Sequence, residues 1–191
     1  MRLLALLVLL ILLVTVPNCS GGDEDDSVGA LAGRSVLVVV ADSLHAAHLG
    51  AYGYERETSP FLERLAAEGV RVERTLSQTS WTLSSVTSLF TGVVQEVHGV
   101  QYLEQRLPSD GPATMAELFR RKGYRTVGIV QNAVVAPQTG LGRGFDRYEY
   151  MRFTEAGAAN IVAAVAEEIE AARDGPPIFL YVHFGPPHMP Y

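Results

Sequence analysis

The sequence feature that most limits the possible folds is a pair of continuous apolar runs, SVLVVVA at 35–41 and IFLYVHF at 178–184. A strand that is apolar at successive positions, and not only at alternate ones, is typical of a parallel sheet covered on both faces. Residues 125–130 form a third apolar strand candidate. These runs favour a layered α/β fold.

Helical patterns alternate with the apolar runs. Ser59 can cap a helix that has Pro60 in its first turn, and Gly69, Gly92 and Gly123 can end three of the predicted helices. Residues 70–76 alternate apolar and charged side chains, which predicts a half-exposed strand. The helices are predicted at 60–68, 83–90, 113–122 and 156–173. The alternation predicts an α/β fold with a mainly parallel sheet sandwiched by helices.

Residues 1–19 have the pattern of a signal peptide, with Arg2 followed by an apolar core that is too short for a comfortable membrane span. Cys19 follows this core and is the expected lipidation site of a bacterial lipoprotein. A cleaved secretory signal and an uncleaved anchor are the alternatives. Residues 20–33 contain an acidic run and read as a flexible tether. We expect an exported protein, periplasmic or at the cell surface, whose N-terminal lipid or signal anchor can hold it at the membrane.

Residues 34–191 are long enough to bury one sizeable core, so we expect one domain there. The formal net charge of −6 includes the four acids of the tether, which leaves the folded part close to neutral. A chain without a basic stripe is not expected to bind nucleic acid. With a single cysteine, the chain can form neither an intramolecular disulfide nor a thiol metal site.

Three polar features lie where ligands typically bind in α/β folds, beyond the carboxyl ends of the strands and at the N-termini of helices. Asp42 follows the first strand, Thr82 begins a predicted helix, and His183 and His188 lie at the end of the last strand. Together they suit a metal-assisted transfer at a phosphoryl or sulfuryl centre. Each also has a simpler interpretation: Asp42 as a turn or helix cap, Thr82 as a helix cap, and His188 as a surface histidine in a turn.

A set of short motifs, taken in order, resembles the sulfatase family of the alkaline phosphatase superfamily. Any one of them is weak, whereas the ordered set is specific and spans nearly the whole region after the tether. The motifs are VLVVVADSLHAAHLGAYG at 36–53, SWTLSSV at 80–86, SLFTG at 88–92, HGV at 98–100, GYRT at 123–126, GFD at 144–146 and PHMPY at 187–191.

The resemblance implies roles for particular residues. Asp42 takes the place of a ligand to a divalent cation, and Thr82 takes the place of the nucleophile, which also contacts the metal. His188 would contact the charged group of the substrate, with His183 nearby as a weaker candidate. Sulfatases of the family commonly use Ca²⁺, whereas phosphorus-directed members more often use Zn²⁺ or Mn²⁺.

The sequence also departs from the family pattern. Sulfatases carry at the Thr82 position a cysteine or serine that is oxidised to formylglycine; threonine would give a ketone, so formylglycine is not expected. Ser84 and Val86 replace the proline and arginine that follow in sulfatases, and Ser43 stands where many have a second metal-binding aspartate. In the superfamily, a threonine nucleophile occurs in members that act on phosphorus esters. The resemblance therefore favours reaction at phosphorus over reaction at sulfur.

Three functions are compatible with the sequence. The leading one is a metal-dependent hydrolase of sulfuric or phosphoric esters, acting on a small-molecule, glycan or lipid ester. The alternatives are a cell-envelope transferase of phosphoethanolamine or phosphoglycerol groups and a non-catalytic binding module with the same fold. The family's remaining metal ligands would lie beyond Tyr191, so we expect an inactive chain, a sheet incomplete at the C-terminus and an exposed sheet edge near the last strand.

Overall fold

The computed structural model describes residues 32–152 and 158–186. Its four strands form one sheet in the order β1-β4-β2-β3, and every neighbouring pair is parallel. The strands are β1 Val36–Ala41, β2 Arg125–Val130, β3 Arg147–Tyr150 and β4 Ile178–Phe184. The apolar runs therefore form parallel strands, as the sequence predicts.

The last strand lies inside the sheet, between β1 and β2. Its residues 178–183 are buried, and its register pairs Val39 of β1 with Val182 and Ile129 of β2 with the same Val182. We expected an exposed edge near this strand; the edge is instead formed by its neighbour β1. Leu37 and Val39 on β1 are 51% and 55% exposed, although the strand has the apolar pattern of an inner one.

Helices cover both faces of the sheet, so the predicted sandwich is confirmed. On one face, Leu83 and Phe90 pack against Phe179 and Tyr181 of β4. On the other face, Ile161 packs against the neighbouring residues of β2 and β4. The helices are α1 Pro60–Glu68, α2 Thr82–Thr91, α3 Gln95–His98, α4 Met115–Arg121 and α5 Ala159–Ala171. None of the helices within the described residues is long and apolar enough to cross a membrane.

Local capping explains several of these boundaries. Thr114 and Glu117 form a reciprocal capping box at the start of α4. Gly92 ends α2 in the left-handed conformation, with φ of 69°, and its N–H donates to the carbonyl of Ser88. Ser59 precedes α1 but does not cap it; its hydroxyl instead accepts a hydrogen bond of 3.1 Å from the N–H of Gly50.

The strand prediction from the sequence was wrong in two places. Residues 70–76 form no strand, and Val70 and Leu76 are 91% and 89% exposed, because no strand of the described residues pairs with this segment. Conversely, β3 was missed. Its sequence RYEY is half charged, and at a sheet edge Arg147 and Glu149 can pair with each other in solvent.

A buried carboxylate fastens α5 to the sheet. Glu168 is 5% exposed and forms ion pairs with Arg125 of β2 and Arg147 of β3. Because a buried carboxylate is costly unless it is paired, both arginines are needed to keep it there. The triad holds α5 across two strands.

Candidate active site

A cavity of about 730 Å³ opens at the carboxyl ends of the strands. It lies where β1 ends and α2 begins, with residues after β2 and at the end of β4 completing the wall. Hydroxyl side chains dominate its polar lining, and no lysine or arginine of the described residues lines it. The hydroxyls belong to Ser43, Ser77, Thr79, Ser80, Thr82 and Ser85.

Asp42 occupies the first position after β1 and is 8% exposed. Its N–H continues the sheet ladder by donating to the carbonyl of Phe184 at 3.1 Å. Ser43 then adopts a left-handed conformation with φ of 61°, which is unusual for a residue with a side chain. The tight turn directs the chain away from the sheet immediately after the carboxylate.

The Asp42 carboxylate is held mainly through one oxygen. Oδ2 accepts a hydrogen bond from the side-chain amide of Asn132 and lies 3.4 Å from Nε2 of His183. Oδ1 accepts one hydrogen bond, of 3.4 Å, from the hydroxyl of Ser43. The carboxylate therefore does not serve as the helix cap that the local sequence allowed.

Thr82 is the first residue of α2, and Trp81 holds the capping position without a side-chain cap. Within residues 32–152 and 158–186, no hydrogen bond engages the Thr82 hydroxyl. The first N–H groups of a helix have no partner inside it and form the positive end of the helix dipole. Thr82 thus places a free hydroxyl at a helix end that favours an anion, in the cavity that Asp42 also lines.

His183 lies at the back of the cavity and is 1% exposed. Its Nδ1 is 2.8 Å from the hydroxyl of Tyr181, and its Nε2 faces Asp42. Burial lowers the pKa of His183, an effect that Asp42 partly opposes. With both ring nitrogens engaged, His183 is placed to support Asp42, and contact with a substrate would require it to leave these partners.

Two predicted residues lie outside the described residues. His188, the predicted contact to the substrate's charged group, and Cys19, the predicted lipidation site, both stay predictions. His45 and His48, close to Asp42 in sequence, belong to the short 3-10 helix Ala46–His48 and its cap, and neither lines the cavity.

Asn132 is a site residue that the sequence interpretation missed. Its Oδ1 accepts from the N–H of Val134 at 2.9 Å, and its Nδ2 donates to Asp42, so the amide is fixed at both ends. The signal was available, because Asn132 follows the carboxyl end of β2 just as Asp42 follows that of β1. The same rule would have identified it.

Ser84 and Val86, two of the positions that depart from the sulfatase pattern, lie in α2. Ser84 is fully buried, with its hydroxyl 3.3 Å from Oε1 of Gln95. Val86 is 4% exposed, belongs to the core and also lines the cavity. Neither provides the positive charge that an arginine would. The second turn of α2 is instead held by a buried hydrogen bond of 3.0 Å between Ser88 and Nε2 of His98.

The residues fit part of a divalent cation site. Hard cations such as Ca²⁺ and Mn²⁺ prefer oxygen ligands, which the Asp42 carboxylate and the Thr82 hydroxyl can supply. Within the part of the chain that the structure describes, no three His, Cys, Asp or Glu side chains cluster as a complete set of ligands. A cation held here would need further ligands.

Comparisons with known proteins identify the family and the fold of the chain. Human arylsulfatase D is 28% identical over 138 residues, which cover 63% of this chain and 23% of arylsulfatase D. The phosphonate monoester hydrolase of Agrobacterium radiobacter superposes with a TM-score of 0.63 at 17% identity, over 82% of this chain and 41% of that one. The C-terminal periplasmic domain of EcEptC from Escherichia coli gives a TM-score of 0.61 at 18% identity, over 80% and 42%.

The chain spans about a quarter of the curated arylsulfatase and less than half of these solved structures. At such identities the solved structures establish the fold. The family is established separately, because the sulfatase family model matches residues 34–191, which include the whole sheet and the cavity. The chain belongs to the sulfatase family.

Proposed function

We propose that this chain is part of an exported, metal-dependent hydrolase of sulfuric or phosphoric esters in which Thr82 is the nucleophile. The observation that carries the proposal is the cavity shared by the free hydroxyl of Thr82 and the fixed carboxylate of Asp42. Membership of the sulfatase family and the arylsulfatase relatives support an ester hydrolase.

The chemistry follows from the position of Thr82. Its Oγ1 forms a bond to the phosphorus or sulfur atom, while the bond from that atom to the bridging ester oxygen breaks. The proton lost by the Thr82 hydroxyl ends on the departing alkoxide, which leaves as an alcohol. Water then attacks the adduct, releases the inorganic anion and restores the hydroxyl. The N-terminus of α2 stabilises the negative charge on the transferred group.

Asp42 and Thr82 are the described residues that would hold the cation. A divalent cation, when bound, polarises the nonbridging oxygens of the ester and favours loss of the Thr82 proton. A structure of the periplasmic domain of EcEptC is a complex with Zn, which supports a metal in this fold. Since no cationic side chain of the described residues lines the cavity, the charge of the ester must be balanced by other groups.

A transferase is the second candidate. Thr82 would receive the phosphorus-containing group from a lipid donor and pass it to an acceptor hydroxyl of the envelope instead of to water. Threonine in the place of an oxidised cysteine or serine favours phosphorus chemistry, and the similarity to the EcEptC domain supports this candidate. A periplasmic relative also supports export, with Cys19 as the proposed lipid anchor.

The test is an assay of the full-length enzyme with p-nitrophenyl sulfate, p-nitrophenyl phosphate and bis-p-nitrophenyl phosphate, with Ca²⁺, Mn²⁺ or Zn²⁺ added after chelation. The proposal expects release of nitrophenol from at least one ester, dependent on a cation and abolished in Thr82→Ala. Transfer from a lipid donor to a glycan acceptor without release to water would favour the transferase. Full activity of Thr82→Ala would overturn both.

A further inference from the structure

A line of hydrogen-bonding side chains runs behind the cavity and crosses three strands. It begins at Tyr181 on β4, continues through His183 to Asp42 at the end of β1, and ends at Asn132 after β2. The proposed function assigns no metal or nucleophile role to Tyr181, His183 or Asn132. Tyr181, His183 and Asp42 are less than one-tenth exposed, and Asn132 is partly buried, so their polar atoms need hydrogen-bond partners.

The donor and the acceptor of each hydrogen bond can be assigned by starting from the side chains with a known role, the Asp42 carboxylate and the Asn132 amide. A carboxylate only accepts hydrogen bonds, so the Nε2 of His183, at 3.4 Å, must carry a hydrogen to donate to Asp42. A neutral imidazole with a hydrogen on Nε2 has none on Nδ1. The Tyr181 hydroxyl, at 2.8 Å, therefore donates to Nδ1. The amide of Asn132 donates from Nδ2 because its Oδ1 already accepts from Val134.

This arrangement distinguishes the two oxygens of Asp42. Oδ2 accepts from both Asn132 and His183, whereas Oδ1 accepts only from the hydroxyl of the neighbouring Ser43, at 3.4 Å. We propose that Tyr181, His183 and Asn132 are positioning residues that hold Oδ2 on the protein side and so leave Oδ1 as the ligand presented to a divalent cation. The inference rests on the proposed function, because it assigns Asp42 to the cation.

A fixed carboxylate matters more here than in a site with many ligands. Where few oxygens are available, each must be oriented in advance, since a carboxylate free to rotate loses entropy when the cation binds. Groups that hydrogen-bond to metal ligands typically change metal affinity by about 10- to 100-fold when they are replaced. The same change is expected here for the loss of the Tyr181 hydroxyl or the His183 ring.

The first experiment measures the protonated nitrogen of His183 directly in the full chain. Two-bond ¹H–¹⁵N correlation spectra of the imidazole ring distinguish the two neutral forms. We expect hydrogen on Nε2 in the wild type and a mixture of the two forms in Tyr181→Phe. Hydrogen on Nδ1 alone in the wild type, or no change in Tyr181→Phe, would overturn the inference, and neither result depends on a bound metal or on activity.

The second experiment titrates Mn²⁺ into the full-length enzyme and its variants by calorimetry, because a cation held here needs ligands besides Asp42 and Thr82. Tyr181→Phe is compared with Tyr148→Phe, which also removes a tyrosine hydroxyl from the sheet, in this case one that donates to the carbonyl of Val135. We expect about 10- to 100-fold weaker Mn²⁺ binding in Tyr181→Phe and no change in Tyr148→Phe. Equal weakening in both variants would indicate a merely structural effect and would overturn the inference.

A double variant separates this inference from the proposed function. In an Asp42→Ala background, His183→Gln should cause no further loss of Mn²⁺ binding, because its effect passes through the carboxylate. A full-length wild type that binds Mn²⁺ only as tightly as its Tyr181→Phe variant would overturn the inference and leave the proposed function standing. A full-length wild type that binds no Mn²⁺ would contradict the assignment of Asp42 to the cation and both proposals with it.

Discussion

Asp42 and Thr82 line the same cavity although they belong to different elements, because β1 ends and α2 begins at the same edge of the sheet. The carboxylate is held by Asn132 and His183, while the hydroxyl has no partner among the described residues. A fixed anion that shares a cavity with an unengaged hydroxyl at a helix N-terminus is suited to nucleophilic attack assisted by a cation.

Replacement of Thr82 should abolish hydrolysis. We expect Thr82→Ala to lower kcat of the full-length enzyme by at least about 10³-fold, as the loss of a nucleophile does in other hydrolases, with little change in thermal stability. Thr91→Ala is the matched control, since its hydroxyl bonds to the carbonyl of Thr87 at the far end of α2. Comparable activity of wild type and Thr82→Ala would show that Thr82 is not the nucleophile.

The stability of the fold should fall in mild acid through His98. Burial lowers the pKa of this histidine from its usual 6.5, so below that pH the unfolded chain binds a proton more readily than the folded one. Stability is therefore complete above about pH 6.5 and decreases as the pH falls below it. His183 acts in the same direction.

Thermal melts between pH 7.5 and 5.5 test this expectation. His98→Gln should be less stable at pH 7.5 but should show a shallower loss of Tm with acid than the wild type. His45→Gln, at an exposed position, should keep the wild-type slope. An unchanged slope in His98→Gln would rule out His98 as a source of the acid sensitivity.

The exposed edge strand should cause self-association of the isolated chain. An edge strand with apolar side chains and unpaired backbone groups is a template for pairing with another chain. Leu37→Lys on β1 should reduce association, measured by light scattering after size-exclusion chromatography. Leu118→Lys on α4 is the control, because Leu37 and Leu118 are equally exposed, at 51%. A monomeric wild-type chain that melts cooperatively would contradict the prediction.

Glu168 should be a larger contributor to stability than Glu170, two positions further along α5. Glu168 is buried between Arg125 and Arg147, whereas Glu170 pairs in solvent with Arg173. We expect Glu168→Ala to lower the free energy of unfolding by about 1–3 kcal/mol, because it leaves the partly buried Arg125 and the exposed Arg147 without their shared partner. Glu170→Ala should cost less than about 1 kcal/mol. Denaturant titrations that give equal losses would contradict this account of α5.

The sequence predicted the strands and helices whose patterns reflect burial. β1, β2 and β4 appear where the apolar runs placed them, and α1 appears between Pro60 and Gly69 as predicted, although Ser59 does not cap it. The prediction failed where the surroundings of a segment, and not its own pattern, determine its structure. The polar edge strand β3 was missed, and the exposed segment 70–76 was wrongly predicted as a strand. Alternation of apolar and charged residues indicates a strand only when a neighbouring strand is available to pair with it.

The sequence also predicted only part of the candidate site. The rule that ligands collect at the carboxyl ends of strands identified Asp42 and Thr82, and the structure brings these two into one cavity. The rule also covers Asn132, but the hydrogen bonds that Asn132 and Tyr181 form could not be derived from the sequence, because they depend on which strands are neighbours in the sheet. The order β1-β4-β2-β3 brings three strand ends together that are far apart in sequence.

The most direct test of the central claim is to trap and map the covalent adduct in the full-length enzyme. The enzyme is mixed rapidly with the ester that it hydrolyses, quenched in acid, digested and analysed by tandem mass spectrometry. The account predicts a phosphoryl or sulfuryl group on Thr82, absent from Thr82→Ala. An adduct mapped to a different side chain of an active enzyme would contradict it.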